Sequence, residues 1–358
     1  MKLNRVQNVL KAMAEQGLNQ IIVSSPPAIF YLTGKWISPG ERMIALYLNT
    51  NGNHKFIVNK LFPIYEDLGV DLIWYSDIED PINILCTVVD KEKTLGVDKN
   101  WPAHFLIKLM NNNGAKAFVN SSPIIDRLRM IKDQEEIALM KKSSEINDKV
   151  MLELWDSLKE GKTEKYYANL LTELYESYGV NEFSFSPIIA VSPNGADPHH
   201  HSSNDTIKKG HSIVLDIGGV YNSYCSDMTR TVFFGEAPNE RHAKIYNTVK
   251  EANQSAIGKV KEGMKFSDID KAARSYIEAA GYSEYFTHRT GHSIGIEDHD
   301  FGDVSSVNNE EIKAGMIFSI EPGIYLKDDV GVRIEDLVLV TKDGCEVLNS
   351  VSKEITII

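Results

Sequence analysis

Cysteine is scarce in this chain of 358 residues, and the three cysteines, Cys86, Cys225 and Cys345, lie far apart. An odd number at such spacings excludes a disulfide framework and a thiolate metal site. Long apolar runs are absent too, since no stretch approaches the roughly 20 residues that span a bilayer. The segment from Met1 to Arg5 leads into an amphipathic pattern and lacks the apolar core of a secretory signal. We therefore expect a cytoplasmic protein without membrane contact.

Basic residues are also in deficit, because 38 Lys and Arg stand against 50 Asp and Glu, which gives a formal net charge of -12. A nucleic-acid partner would require a basic surface, so this balance argues against that class and suits a site that binds cations. The content of 42% hydrophobic and 25% charged residues is that of a globular protein. The length allows two domains, each with its own core.

Three acidic side chains interrupt runs that otherwise have the pattern of buried β-strands. They are Asp216 in residues 213–217, Glu321 in residues 317–321 and Glu335 in residues 332–338. Removing an unpaired carboxylate from water costs several kcal/mol, so a chain that does this repeatedly must supply a compensating cation. The simplest such cation is a bound metal ion.

The strands that carry these acids repeat one another. In residues 208–218 and again in 313–323, a glycine lies six residues before the acid and another lies two residues after it. A second acid follows each time, Asp227 eleven residues after Asp216 and Glu335 fourteen after Glu321. Acids so spaced can face each other across an antiparallel hairpin. Two duplicated hairpins would direct four carboxylates at one centre, whereas the alternative makes Asp227 and Glu335 ordinary turn or edge acids.

Three histidines lie within twelve residues between the two hairpins, namely His288, His292 and His299. Glycines on both sides of His292 allow the close backbone approach that a ligand in a buried metal centre needs. One imidazole with four carboxylates suits two divalent ions of the harder kind; we favour Mn²⁺, with Co²⁺ or Zn²⁺ as alternatives. Two metals roughly 3.5 Å apart can share a bridging water and lower its pKa, which is hydrolase chemistry.

The chain divides near residues 122–132 into an α/β domain, residues 1–125, and a second domain, residues 126–358. The second domain begins with a long helix, which Asp133 and Glu136 cap and Gly161 stops, and Thr163 caps the next helix through residue 178. The scheme then repeats, with a helix over 240–260 and another that Ser267 caps and that ends near residue 281. The prediction is two duplicated halves, each with two helices followed by acid-bearing strands.

Three segments make the sequence resemble a known family, the pita-bread metallopeptidases that include methionine aminopeptidase, aminopeptidase P and prolidase. These segments are residues 226–231 (SDMTRT), 320–325 (IEPGIY) and 331–336 (GVRIED), and with Asp216 and His292 they supply five ligands in the family's order. Residues 31–34 (YLTG) resemble the N-terminal domain of the proline-specific members, which methionine aminopeptidase lacks. The resemblance implies a creatinase/prolidase-like α/β domain, a C-terminal pita-bread domain with a pseudo-two-fold axis, and a homodimer. The N-terminal domain would narrow the entrance or form dimer contacts.

The resemblance also implies roles for single residues. Asp227 and Glu335 would bridge both metals, and Asp216 would bind one of them. The other metal would be held by His292 and Glu321, and Glu321 would also pass a proton from the bridging water to the leaving nitrogen.

Four further residues receive predicted roles around the metals. By the resemblance, His199 would contact the substrate and His299 would stabilise the tetrahedral intermediate. His288 is expected to line the pocket, and Arg333 to hold a carboxylate of the substrate or of the protein. The alternative for His199 is a solvated loop, since His200 and His201 follow it.

The implied activity is hydrolysis, by a metal-bridging hydroxide, of the bond between an N-terminal residue and proline in small peptides. The enzyme would be an Xaa-Pro dipeptidase or a short Xaa-Pro aminopeptidase. A metal-free creatinase-like hydrolase and a non-catalytic peptide-binding module are alternatives, but both predict lost ligands. Two departures from the family pattern, Ser293 and the run Asp300-Phe301-Gly302, are expected to touch the substrate pocket.

Overall fold

The computed structural model describes all residues from Met1 to Ile358, which form two compact units, Met1–Arg129 and Met130–Ile358. None of the helices combines the length and the apolar character that crossing a bilayer requires. The division lies close to the predicted one, which placed the boundary after residue 125.

The first unit is built around a six-stranded sheet. Its strands are β1 (Gln20–Val23), β2 (Ala45–Asn49), β3 (Lys55–Asn59), β4 (Asp71–Tyr75), β5 (Thr94–Val97) and β6 (Ala117–Asn120). Its helices are α1 (Leu3–Glu15), α2 (Pro26–Thr33), α3 (Pro81–Leu85), α4 (Ala103–Asn111) and α5 (Ser122–Met130). The strand order is β4-β3-β2-β1-β5-β6. Strand β2 is antiparallel to β1 and β3, whereas the pairs β3–β4, β1–β5 and β5–β6 are parallel.

The second unit contains the remaining elements. Its helices are α6 (Gln134–Ser157), α7 (Glu164–Ser177), α8 (Glu240–Ile257) and α9 (Phe266–Ala279). Its strands are β7 (Ile188–Val191), β8 (Ser212–Ile217), β9 (Val220–Tyr221), β10 (Tyr224–Cys225), β11 (Met228–Phe233), β12 (Gly291–His292), β13 (Asp303–Val304), β14 (Ile317–Ile320), β15 (Gly323–Leu326), β16 (Val330–Arg333), β17 (Asp336–Val340) and β18 (Cys345–Val347). Two short 3₁₀ helices span Asn194–Ala196 and Ser283–Tyr285.

The second unit has the predicted duplicated plan. In the first half α6 and α7 precede a three-stranded sheet of order β11-β8-β7, and in the second half α8 and α9 precede one of order β14-β17-β18. The apolar stripes of each helix pair bury into a separate cluster, with Leu154 and Leu215 in one and Val249 and Phe318 in the other. Each half therefore has its own core beneath an acid-bearing hairpin.

The helix boundaries test the sequence signals directly. The capping box of Asp133 and Glu136 is confirmed, as is the cap that Thr163 provides for α7. Two boundary predictions were wrong. Helix α6 ends at Ser157 because Leu158 already has an extended conformation, and α9 begins at Phe266, one residue before the predicted cap Ser267. The burial of Phe266 in the core of the second half explains the earlier start.

The hairpin registers correct the predicted pairing of acids. Asp216 lies opposite Thr229, so Asp227 is its diagonal neighbour two residues away on the same face. The second hairpin is paired through Ile320 opposite Asp336. Beyond that pair the ladder is interrupted, because the Glu321 N–H donates to the carbonyl of Thr290 and the Glu335 N–H donates to the carbonyl of Thr229. Pairing resumes where Gly323 of β15 lies opposite Arg333 of β16.

A buried arginine joins the two halves. The guanidinium of Arg230 is 2.7 Å from Asp336 and donates to the backbone carbonyls of Glu335 and Val351. The Nζ of Lys353 lies 2.7 Å from the other oxygen of Asp336. Because these groups come from β11, β17 and the C-terminal segment, the cluster fixes the two acid-bearing hairpins against each other.

Gly331 provides a test of this close packing. A Cβ added at Gly331 would lie 1.6 Å from the carbonyl oxygen of Gly195, in the loop that carries His199. We expect Gly331→Ala to lower the free energy of unfolding in urea by about 1–3 kcal/mol or more, because a backbone must move. The matched control is Gly344→Ala, where no atom lies within 4 Å, and its change should stay within about 0.5 kcal/mol. Equal stability of the two variants would contradict the close contact.

Candidate active site

A cavity of about 660 Å³ opens into the second unit. A cavity of this size suits a small molecule or a short peptide. All nine site residues predicted from the sequence line it, namely His199, Asp216, Asp227, His288, His292, His299, Glu321, Arg333 and Glu335. The structure thus brings together side chains that lie up to 136 positions apart in the sequence (335 minus 199).

The four carboxylates reach the cavity from equivalent places in the two halves. Asp216 lies near the end of β8 and Asp227 directly precedes β11. Glu321 follows β14 and Glu335 directly precedes β17. In each hairpin one acid therefore lies at the end of the first strand and the other lies directly before the second strand. Neighbouring buried residues hold both acids in place.

These carboxylates have more charge and more acceptor capacity than the protein satisfies. One oxygen on each of Asp216, Asp227 and Glu335 is buried and has no hydrogen-bond partner. Arg333 neutralises only one of the four, through an Nη2–Oδ2 contact of 2.6 Å to Asp216. Unpaired buried carboxylates are costly, so the cluster requires further positive charge.

A divalent metal fits this donor set. One ligand atom each from Asp227, His292 and Glu335 lies within 4.8 Å of the others. The Nε2 of His292 is 3.6 Å from a carboxylate oxygen of Asp227 and 3.5 Å from one of Glu321. Carboxylate and imidazole ligands suit Mn²⁺, Co²⁺ or Zn²⁺, and the unpaired oxygens are available for coordination.

The electrostatics of the carboxylate cluster follow from burial and like charge. Burial raises the pKa of Asp227 well above its usual range, and the neighbouring carboxylates of Glu335 and Asp216 raise it further. Burial also raises the pKa of Glu335, and it raises that of Glu321 to about 7. Burial lowers the pKa of His292, so its imidazole is a neutral potential ligand. Metal binding must therefore displace protons from the carboxylates.

Arg333 is held by protein groups on several sides. Its Nε donates to the hydroxyl of Thr229 at 3.1 Å, and its Nη1 donates to the hydroxyl of Tyr325 at 3.0 Å. Thr229 in turn donates to Glu335 at 2.8 Å. Of the two predicted partners for Arg333, the structure shows a carboxylate of the protein, that of Asp216. The substrate contact stays a prediction.

The histidines differ in how they are held. His288 is half-buried and its Nε2 lies 2.8 Å from the hydroxyl of Tyr325. The His299 ring is 4.0 Å from that of His292, and Arg289 donates to its Nδ1 at 3.1 Å. Because Nδ1 accepts, the proton of a neutral His299 ring is on Nε2, which makes that nitrogen a donor. His199 is exposed on the loop between β7 and β8.

The two departures from the family pattern do not border the cavity, so the expectation that they touch it was wrong. Gly302 has a φ of 117°, and a Cβ there would lie 2.6 Å from the hydroxyl of Ser293. The absence of a side chain at 302 thus makes room for Ser293, whose N–H donates to the Gly302 carbonyl. Asp300 lies 3.8 Å from Lys132. The glycine at 302 and the serine at 293 thus fit each other at a place that does not border the cavity.

Sequence reasoning missed several residues that shape the cavity. Thr229 and Tyr325 lie within the family motifs but received no predicted role. Each nevertheless forms hydrogen bonds with two of the predicted site residues. Phe185 and Ile188 supply apolar lining, and Arg289 orients His299. The motif positions were a usable signal for Thr229 and Tyr325, whereas nothing in the sequence singled out Phe185 or Ile188.

Comparisons with known proteins agree with this architecture. Residues 138–342 match the family model of metallopeptidase family M24, and residues 5–131 match the creatinase/prolidase N-terminal domain. An uncharacterized peptidase of Staphylococcus saprophyticus is 37% identical over 361 residues, covering 99% of this chain and 100% of the relative. One from Staphylococcus aureus (strain bovine RF122) is 34% identical over 356 residues, covering 98% of this chain and 100% of the relative.

Solved structures match over nearly the whole length. A dipeptidase from Pyrococcus horikoshii has a TM-score of 0.93 at 35% identity, covering 99% of this chain and 100% of the other. A prolidase from Thermococcus sibiricus has a TM-score of 0.93 at 35% identity, covering 100% and 99%. An Xaa-Pro dipeptidase from Bacillus anthracis has a TM-score of 0.91 at 27% identity, covering 100% of both chains. The predicted two-domain α/β fold is confirmed.

The half-buried imidazole of His288 makes the stability of the fold depend on pH. Burial, followed by the charge of Arg333, lowers the pKa of His288 from 6.5 to about 4. The unfolded chain therefore binds more protons in this window, and stability is lost as the pH falls from 6.5 towards 4. At about 1.4 kcal/mol per pKa unit, His288 contributes up to about 3 kcal/mol to the pH-dependent part of the unfolding free energy.

We expect His288→Gln to flatten the pH dependence of the unfolding free energy between pH 6.5 and 4, measured by urea unfolding at several pH values. The control is His201→Gln, which alters an exposed histidine of the same unit and should leave the slope unchanged. An unchanged slope in His288→Gln would show that this imidazole does not govern the acid sensitivity.

Proposed function

This chain belongs to metallopeptidase family M24, and we propose that it is an Xaa-Pro dipeptidase that hydrolyses the bond between an N-terminal residue and proline. The observation that carries the proposal is the convergence of four carboxylates and His292 in one cavity of about 660 Å³. Three of the carboxylates, those of Asp216, Asp227 and Glu335, are buried and have an unpaired oxygen. The dipeptidase and the prolidase that share its fold support the substrate class. A short Xaa-Pro aminopeptidase is the alternative that the assay below separates.

Two divalent metal ions are the proposed cofactors. Asp227 and Glu335 would contact both ions, Asp216 would hold one, and His292 with Glu321 would hold the other. The predominance of carboxylate oxygens favours Mn²⁺, and Co²⁺ and Zn²⁺ are the alternatives. The ions would supply an activated water molecule as the nucleophile.

The side chains of the protein would manage the proton and the developing charge. Glu321, a carboxylate beside the proposed ions, would accept a proton from the water molecule and give it to the leaving nitrogen of proline. His299 would donate from Nε2 to the oxygen on which negative charge develops, an interaction that typically contributes about 3 kcal/mol when preorganised. His199, on the exposed loop, would contact the substrate.

A dedicated site is needed because the prolyl amide differs from other peptide bonds. It has no N–H, and its ring fixes the backbone dihedral φ. The apolar lining residues Phe185 and Ile188 are suited to hold an uncharged ring, while the histidines and Arg289 supply polar contacts. We also infer from the family resemblance that the chain acts as a homodimer in the cytoplasm, which sedimentation and fractionation would test.

The substrate class is tested by a parallel assay. Purified protein with added Mn²⁺ is offered Xaa-Pro dipeptides, Xaa-Pro-Xaa tripeptides and a Met-Ala-Ser peptide, and the products are quantified by chromatography. We expect turnover of the dipeptides, because a dipeptidase and a prolidase share the fold over nearly its whole length. Preferred hydrolysis of tripeptides would establish the aminopeptidase alternative. Hydrolysis of Met-Ala-Ser alone would overturn proline specificity, and no turnover with any metal would favour a binding module.

The metal assignment is tested by Asp227→Asn. Changes next to metal ligands typically cost 10–100-fold, so loss of a bridging ligand should reduce kcat by more than about 100-fold. The fold should persist, because burial and the neighbouring carboxylates raise the pKa of Asp227, and an amide of the same shape is neutral like the protonated acid. Metal content by elemental analysis should fall, while circular dichroism stays unchanged. Asp343→Asn, at an exposed position, is the control. Near-normal turnover in Asp227→Asn would refute the bridging role.

A further inference from the structure

Glu164 is a fully buried carboxylate that lies outside the cavity, at the first position of α7. Its two oxygens accept four hydrogen bonds. One oxygen accepts from the Val191 N–H at 2.9 Å and from Asn194 Nδ2 at 3.0 Å. The other accepts from the Ser203 N–H at 2.6 Å and lies 2.7 Å from Nε2 of His200. The helix N-terminus further stabilises its negative charge.

All four donors belong to one segment, residues 191–203, which we term the histidine loop. The loop carries His199 into the cavity, and its attachments to Glu164 at Asn194 and His200 lie on both sides of His199. The His199 imidazole is exposed and makes no hydrogen bond to the protein. Its position therefore follows from the loop backbone rather than from contacts of its own.

A carboxylate is chemically required at position 164. Each oxygen faces two N–H donors, and a carboxylate is an acceptor at both oxygens. An amide of the same shape would turn an N–H₂ group towards two of these donors. The far end of the loop has separate support, because the backbone N–H groups of Glu164 and Lys165 donate to the carbonyls of Asp205 and Ser203. Loss of the carboxylate would consequently release the part of the loop around His199 without detaching the whole loop.

We propose that Glu164 is a positioning residue, which holds the histidine loop so that His199 meets the substrate. The inference rests on the proposed prolyl dipeptidase function for its kinetic consequence. The structural consequence, a fixed loop, does not depend on any substrate.

The experiment compares Glu164→Gln with Glu173→Gln, the same substitution at an exposed site on the same helix. Hydrogen exchange of residues 191–203 is measured in the substrate-free, metal-loaded protein, together with kcat and KM for an Xaa-Pro dipeptide. Each substitution is also made in a His199→Ala background to complete a double-mutant cycle. Asn194→Ala, which removes one donor and does not alter a cavity residue, is the milder variant should Glu164→Gln fail to fold.

We expect faster exchange in the loop of Glu164→Gln and a fall in kcat/KM of about 10- to 100-fold, since small misplacements near the reacting atoms cost this much. In the His199→Ala background the same substitution should cost less than about 3-fold, because there is no imidazole left to misplace. Asn194→Ala should change both quantities in the same direction and by less, and Glu173→Gln should change neither.

Unchanged loop exchange in Glu164→Gln would overturn the proposal, and so would an equal loss of kcat/KM in the presence and absence of His199. If the unsubstituted protein fails to hydrolyse prolyl dipeptides, the proposed function fails. The exchange measurement still decides whether Glu164 fixes the loop.

Discussion

The structure depends on confining four carboxylates in one cavity with too little positive charge from the protein. Arg333 pairs with Asp216, but one buried oxygen on each of Asp216, Asp227 and Glu335 has no partner. Burial and mutual repulsion raise the pKa of Asp227 and Glu335, so this centre is at its least stable when it is ionised without a cation. Divalent ions would offset this electrostatic cost. The carboxylate cluster is thus destabilising without a cation and suited to binding metal ions.

The rest of the second unit is arranged to hold these anions in place. Arg230 and Lys353 clamp the buried Asp336, directly beside Glu335, and thereby fix one hairpin against the other. Thr229 joins Glu335 to Arg333, and Tyr325 joins Arg333 to His288. The acids are thus surrounded by groups that fix their direction but leave coordinating oxygens open, as a preorganised metal centre requires.

The segments that carry His199 and His299 lie around this centre, and individual charged side chains hold them in place. His199 is exposed on a loop whose attachments converge on Glu164, at a distance from the acid-bearing hairpins. His299 is oriented by Arg289, which pairs with Asp303. Functional loops on rigid scaffolds are common, and here charged side chains, Glu164 and Arg289, hold the loop of His199 and the ring of His299.

The sequence by itself determined the features that depend on local patterns. Spacing and family motifs indicated the duplicated strands, the acids within them and the caps at Asp133 and Thr163. They also indicated nine of the residues that line the cavity, but not Phe185, Ile188 or Arg289. Tertiary structure alone decided what depends on register and on distant neighbours. It placed Asp216 diagonal to Asp227, gave Arg333 a protein partner, set Ser293 against Gly302 away from the cavity, and brought Glu164 to the histidine loop. The physical reason is that local periodicity fixes which face a side chain occupies, whereas contacts between segments depend on packing that no local pattern encodes.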